Sequence, residues 1–242
     1  MYFYKTDVMG YNVNMNIGFI PSNKEIAHTV PMPKSAKLYI PEWYKDIKLD
    51  KEIKFNNNSE PTNINIKSCM PFLDSLSQGY IQETWADLYI KVKDGVIYTQ
   101  STGAELMMMR PSVSLELSNT LAPYEFAWKM QWIPKMPEGW SVMITHPLNR
   151  FDLPFQTVSG VIDSDKFYHT ASGNVPFYMA DGFEGVIPAG TPMYQIIPIR
   201  REFWDSYTIP YSDEDQLKRT AIIRRNFLGV YKKMFWNKKL FS

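Results

Sequence analysis

The sequence predicts a mainly β protein, an antiparallel β-barrel or jelly roll preceded by an extended arm and followed by a basic helix. Three observations carry this expectation. Asp94-Gly95 stands between runs rich in Val, Ile, Tyr and Thr in "DLYIKVKDGVIYTQS", a strong short-range hairpin signal. The stretch "YEFAWKMQW" (124–132) alternates with period two: Tyr124, Phe126, Trp128, Met130 and Trp132 share one face, with Glu125, Ala127, Lys129 and Gln131 on the other. No long amphipathic helix interrupts the short strand-like runs, so no βαβ unit is implied.

The organisation read from the sequence is an arm over 1–60, a β domain over 61–210 and a basic tail over 211–242. Pro21, Pro31, Pro33 and Pro41 punctuate the arm, and "KFNNNSEPTN" (54–63) reads as a linker. "IPEWYKDI" (40–47) suits a short helical turn with Pro41 near its start. The arm is expected to lie over the body or over a neighbour. In the β domain, "SVSLELS" (112–118), "PEGWSVMIT", "FQTVSGVID", "VPFYM" and "PMYQIIPI" are further strand candidates, each bounded by Pro, Gly or Asn. In the tail, Ser212 is an N-cap candidate, and Asp213, Glu214 and Asp215 suit the positive end of a helix dipole. Leu217, Ala221, Leu228, Tyr231 and Phe235 fall on a rough stripe, and Gly229 weakens or kinks the helix.

Composition narrows the class. With 45% hydrophobic and 15% aromatic residues the chain can build a packed core. Cys69 is the single cysteine, so no intramolecular disulfide forms, and it reads as a small buried residue. The opening residues lack a basic segment followed by an apolar run, and no apolar stretch reaches a membrane span. The expected setting is a cytoplasm. The net charge of +1 hides an asymmetry: residues 218–242 hold eight of the 26 bases and none of the 25 acids, leaving −7 on residues 1–217. Such a tail is expected to dock on something acidic: another copy of the body, a nucleic acid or a phosphate-rich surface. Arg224, Arg225, Lys232, Lys233 and Trp236 are the candidate partner-binding residues, and a solvated helix face packed on its own body is the blander reading.

Two resemblances enter on ordered motifs. The series Pro137-x-Gly139, Gly160-Val161-Ile162-Asp163, then Gly190 and Gln195 resembles the dUTPase and dCTP deaminase barrel. That resemblance implies Asp163 as the base that activates water, Asn149 and Arg150 at phosphate, Gln195 near the base or sugar, and Mg²⁺ as cofactor. The chain departs from it in three ways. Phe167 stands near the expected Tyr, "THPLNR" offers only Asn149 and Arg150 as donors, and a basic helix replaces the Gly-rich arm. Over about 64–205 the chain is also similar to an uncharacterised family of bacteria and their phages, through Cys69, Pro71, Gly79, Tyr80, Pro147, Asn149, Gly190, Pro192, Pro198 and Arg200. That resemblance brings a phage setting and no chemistry.

Other chemical candidates are weaker. His28, His146 and His169 show no metal-ligand spacing, and a corner site of Asp163, Asp165 and His169 competes with plain solvated side chains. "GAELMMMRP" reads as an adaptable core or contact patch. The expectation is therefore a non-enzymatic structural or interaction protein of a phage particle without a cofactor. It assembles with itself or other virion proteins in the host cytoplasm or in the virion. The alternative is a nucleotide-binding or nucleotide-hydrolysing barrel using Asp163 and Mg²⁺.

Overall fold

The computed structural model describes residues 15–48, 65–110, 119–168, 173–225 and 231–241. The linker 54–63, the strand candidate 112–118, His169, Leu228 and Gly229 lie outside the described residues. Fourteen strands follow in chain order: β1 (Gly18–Pro21), β2 (Lys34–Ser35), β3 (Tyr80–Glu83), β4 (Leu88–Lys93), β5 (Val96–Ser101), β6 (Met107–Met109), β7 (Leu121–Met130), β8 (Trp132–Lys135), β9 (Trp140–Thr145), β10 (Phe155–Thr157), β11 (Gly160–Ile162), β12 (Gly173–Ala180), β13 (Gly185–Ile187) and β14 (Pro192–Arg200). Four helices join them: α1 (Ile26–Thr29), α2 (Glu42–Asp46), α3 (Met70–Ser77) and α4 (Asp213–Arg225).

Among the described residues all pairing is antiparallel, in sheets ordered β11-β9-β14-β3-β2, β10-β12-β7-β6, β13-β4-β5 and β1-β8, and no sheet closes on itself. The three larger sheets share one core. It takes Leu88, Ile90 and Ile97 from the three-stranded sheet, Phe126, Trp128 and Phe177 from the four-stranded, and Val142, Ile144 and Ile196 from the five-stranded. Trp128 stacks on Phe177 with centroids 3.6 Å apart and meets Phe155 edge-on at 5.0 Å. Its indole N–H donates to Thr157 Oγ1 at 3.2 Å, which satisfies the one polar atom that so large a side chain brings inside.

The alternation of 124–132 is realised only in part. Phe126, Trp128 and Met130 enter the core, but Glu125 and Ala127 are buried too, because the second face of β7 is also covered. Gln131 breaks the strand, so Trp132 belongs to β8 and packs with Ile26 and Val30 of the arm, donating its indole N–H to the Val30 carbonyl at 3.0 Å. The hairpin at Asp94-Gly95 forms as expected. Both turn residues have positive φ, 52° and 75°, the requirement of a type I′ turn.

The described part of the arm lies on its own body. β1 pairs with β8 in the register Gly18↔Lys135, β2 pairs with β3, and α2 starts one residue after Pro41. Residues 65–78 form a 3-10 turn and α3 where strand was expected, and Pro71 in the first turn of α3 fits a helix start. Gly79 then turns the chain into β3 with φ +69°, and a Cβ there would lie 2.2 Å from the Ile196 carbonyl oxygen. The last strand, β14, stops at Arg200. Among the described residues no helix is long and apolar enough to cross a membrane.

Candidate functional site

The acidic corner follows β11, which lies along β9 with Ile162 opposite Val142. Asp163 keeps its side chain 63% exposed and accepts from Ser141 Oγ at 2.7 Å and from Arg201 at 3.2 Å. Asp165 is the buried member, 2% exposed, with the Arg201 guanidinium closed on both of its oxygens and the Gly139 N–H donating at 3.0 Å. The hydrogen bond from Arg201, helped by that N–H, holds the Asp165 carboxyl at about 2. A carboxylate that is to activate water needs a free lone pair and a pKa near the working pH. Asp165 is spent on Arg201 and the Gly139 N–H, whereas Asp163 meets Ser141 and Arg201 through Oδ1 alone; the arginine ties the end of β14 to the turn between β8 and β9. Phe167 is exposed beside it and brings no hydroxyl.

Asn149, Arg150 and Gln195 do come together, around the end of α3 and the loop after β9. Each is occupied by the protein. Gln195 is 1% exposed; its Oε1 accepts from the Leu148 N–H at 2.8 Å, and its Nε2 donates to the Ser75 and Gln78 carbonyls at 3.1 and 2.5 Å. Asn149, in the left-handed region at φ 60°, donates from Nδ2 to Ser75 Oγ at 2.6 Å. Arg150 grips Asp152 with two bonds of 2.8 Å and donates to the Tyr39 carbonyl at 3.3 Å. Burial works to raise the Asp152 carboxyl, but this guanidinium outweighs it and holds the group below its ordinary value. His146 Nε2 donates to the Arg150 carbonyl at 3.0 Å, its Nδ1 accepts from the Thr157 N–H at 3.3 Å, and burial lowers its pKa.

The cavity among Tyr39, Leu76, Leu148, Arg150 and Gln195 is about 10 Å³, room for a water and not for a nucleotide. The two halves of the alternative site are also separated. β9 faces Gln195 at Thr145 but faces Ile162, next to Asp163, at Val142, so about 10 Å of strand lies between them. His28 is exposed, Cys69 is half-buried rather than buried, and Met107 and Met108 are half-buried in β6. Among the described residues no group of three or more His, Cys, Asp or Glu could hold a metal ion.

The tail has two parts that sequence reasoning did not separate. Its last segment returns to the body. Trp236 Nε1 donates to both oxygens of Asp74 at 3.0 and 2.9 Å, Lys239 joins the same carboxylate at 2.7 Å, and Phe241 sets its ring edge-on to Tyr80 at 6.0 Å. Trp236, one of the candidate partner-binding residues, is thus engaged by its own chain. Lys232 and Lys233 are exposed, and of Arg224 and Arg225 only the backbone is described.

Ahead of the returning segment, residues 202–212 have no regular structure, and 202–211 are exposed. Phe203, Trp204, Tyr207, Ile209 and Tyr211 are 73 to 97% exposed. Among the described residues no backbone hydrogen bond ties 202–211 to the rest of the chain; the last is Arg201 N–H to the Gly139 carbonyl at 2.9 Å. Ser212 caps the first turn of α4, the Asp215 N–H lying 3.3 Å from Ser212 Oγ. Leu217 and Ala221 of the expected stripe are exposed. A period-two pattern in "FWDSYTIPY" was the signal that could have singled this segment out. The chain matches no family model and no curated protein.

Proposed function

We propose that this chain is a non-enzymatic structural protein that works by binding other subunits, first of all copies of itself, through the segment 202–212 and the helix that follows. The observation that carries this reading is the exposure of five large apolar side chains on one strap that, among the described residues, makes no backbone hydrogen bond to the body beyond Arg201. Scattered surface apolar residues need no explanation, but a contiguous run of this kind marks an interaction site. Aromatic residues also supply contact area at low entropic cost. Charge separates within the tail itself: residues 202–217 carry five acids and no base, and residues 218–242 carry eight bases and no acid, so opposite ends of this segment attract one another between copies. The phage-particle setting is supported by the motif resemblance over 64–205, which spans Cys69 to Arg200.

In the same reading the fold derives from a dUTPase-like barrel or jelly roll that has opened. Support comes from the neighbourhood of β9, β11 and β14, the strands that carry the Pro-x-Gly turn, the acidic corner and the Gly190–Gln195 motif. The nucleotide-hydrolase alternative loses ground because Asp163, Asn149, Arg150 and Gln195 each bond a protein partner.

Sedimentation velocity on the full chain tests the assembly reading. The wild type should populate species larger than one copy, and Tyr207→Asp/Ile209→Asp, both fully outside the core, should sediment as a monomer. A wild type that stays monomeric up to its solubility limit contradicts the reading.

A further inference from the structure

We infer that the surface receiving the strap is the outer edge and outer face of the three-stranded sheet β13-β4-β5 on a second copy. This rests on the assembly reading above and names the acceptor within it.

The sheet has an unprotected edge. Among the described residues β5 pairs only with β4, and no strand lies along its other side. The two-residue turn fixes which backbone groups point outward. Lys93 and Val96 close a type I′ hairpin and bond each other, so Val96, Tyr98 and Gln100 turn their N–H and C=O toward β4. Ile97, Thr99 and Ser101 then turn theirs to the open side, and among the described residues these groups have no backbone partner. A strand edge of this kind is a template for another extended segment.

The outer face is equally unprotected. Leu88, Ile90, Ile97 and Ile187 point into the core, while Tyr89, Val96, Tyr98 and Val186 are 45 to 56% exposed on the opposite side. Lys91 and Lys93 lie among them, on the same face by alternation. A shallow trough of about 870 Å³ runs over this region, bounded at one end by Glu184.

The strap complements that surface in pattern, charge and length. Its odd residues Phe203, Asp205, Tyr207, Ile209 and Tyr211 fall on one face of an extended chain, and Trp204, Ser206, Thr208 and Pro210 on the other. When Trp204, Ser206 and Thr208 bond the three outward groups of β5, the odd side chains lie beside Tyr98 and Val96. Aromatic and β-branched cross-strand pairs of this type are favourable. Pro210, which has no N–H to give, then falls past the end of the six-residue strand. The strap spans about 30 Å when extended against about 20 Å for β5, so the strand is covered along its whole length. Residues 202–217 carry Glu202, Asp205, Asp213, Glu214 and Asp215 and no base, opposite the face that presents Lys91 and Lys93. The contact is heterologous, donor strap to acceptor sheet, so it builds rings or open chains of subunits.

Complementation tests the pairing. The donor-dead variant is Tyr207→Asp/Ile209→Asp. The acceptor-dead variants are Tyr98→Asp, on an exposed face, and Thr99→Pro, which removes one outward N–H without touching the β4 ladder. Each alone should weaken self-association on the order of 100-fold in sedimentation equilibrium, as expected for loss of central anchors. Mixed, a donor-dead and an acceptor-dead chain should form a discrete 1:1 pair, because one intact strap meets one intact sheet. Three outcomes overturn the inference. If the acceptor variants self-associate like wild type while the donor variant does not, assembly stands and the acceptor surface lies elsewhere. If the mixture stays monomeric although wild type assembles, the pairing is wrong. If wild type itself is monomeric, the strap belongs to no second copy and both readings fall.

Discussion

Gln195 separates a structural amide from a ligand-binding one, and its replacement by leucine is the sharpest perturbation of the body. The side chain is of similar volume, so the change removes hydrogen bonds without opening a large cavity. Three partners lose their bond: the Leu148 N–H at 2.8 Å and the carbonyls of Ser75 and Gln78 at 3.1 and 2.5 Å. Each such bond contributes about 1 kcal/mol net, and more where the abandoned group stays dry. Leu148, Ser75 and Gln78 are half-buried, so water reaches them in part and the lower figure applies. The sum is about 3 kcal/mol, a substantial share of the ~5–15 kcal/mol that holds a domain together. With a urea slope of about 3 kcal/mol/M for a chain of this size, the midpoint should fall by about 1 M. The assay is urea unfolding followed by tryptophan fluorescence, with Gln195→Glu as a companion that keeps the acceptor but loses both donors. A Gln195→Leu midpoint within about 0.2 M of wild type would refute the reasoning, because a side chain kept for a ligand can be removed without unfolding the apoprotein.

Four further outcomes follow from the same geometry. Arg201→Met should return the Asp165 carboxyl from about 2 toward its ordinary value, read by carbon-detected NMR titration. Because that pKa is depressed in the folded state, its stabilising effect is present above about pH 4 and is lost as pH falls toward 2; Arg201→Met should lack that component of acid sensitivity. Gly79→Ala should destabilise by more than about 2 kcal/mol in the same urea assay, since strain at φ +69° adds to the clash with the Ile196 carbonyl; an unchanged midpoint contradicts this. Asp74→Ala should free Trp236 and Lys239, so that trypsin followed by mass spectrometry shows faster cleavage after Lys238 and Lys239 with the core intact. Thermal melts with dUTP or dCTP plus Mg²⁺ should be flat, whereas a rise in Tm that grows with nucleotide concentration would revive the hydrolase alternative.

What was legible in the sequence is what local chemistry decides. Asp94-Gly95 announces its hairpin because both positions need positive φ and those residues tolerate it. The alternation of Tyr124 to Met130 announces a strand because one side of it fills the core. Trp132 was misjudged because the partner that claims it, Val30, lies 102 residues away and nothing local signals the break at Gln131. α3 was missed because Ser75 and Ser77 discourage a helix interior; in the fold their hydroxyls donate back to the Phe72 and Leu73 carbonyls at 2.7 and 2.9 Å. The motif residues Asp163, Asn149 and Gln195 were legible as positions, but their occupancy was not. Arg201 reaches the acidic corner across 36 residues, and Ser75 and Gln78 reach Gln195 across more than 100. The strap went unnoticed because its alternation looks like that of the strands before it; only the end of β14 at Arg200 shows that it has no sheet of its own.

The most direct test of the central claim is amide hydrogen exchange of residues 203–211 measured across protein concentration. The account predicts fast exchange when the protein is dilute and protection that grows with concentration, in step with protection of Ile97 and Thr99 on the outer edge of β5. Exchange at the unprotected rate at every concentration, in a sample shown to be assembled, would contradict it.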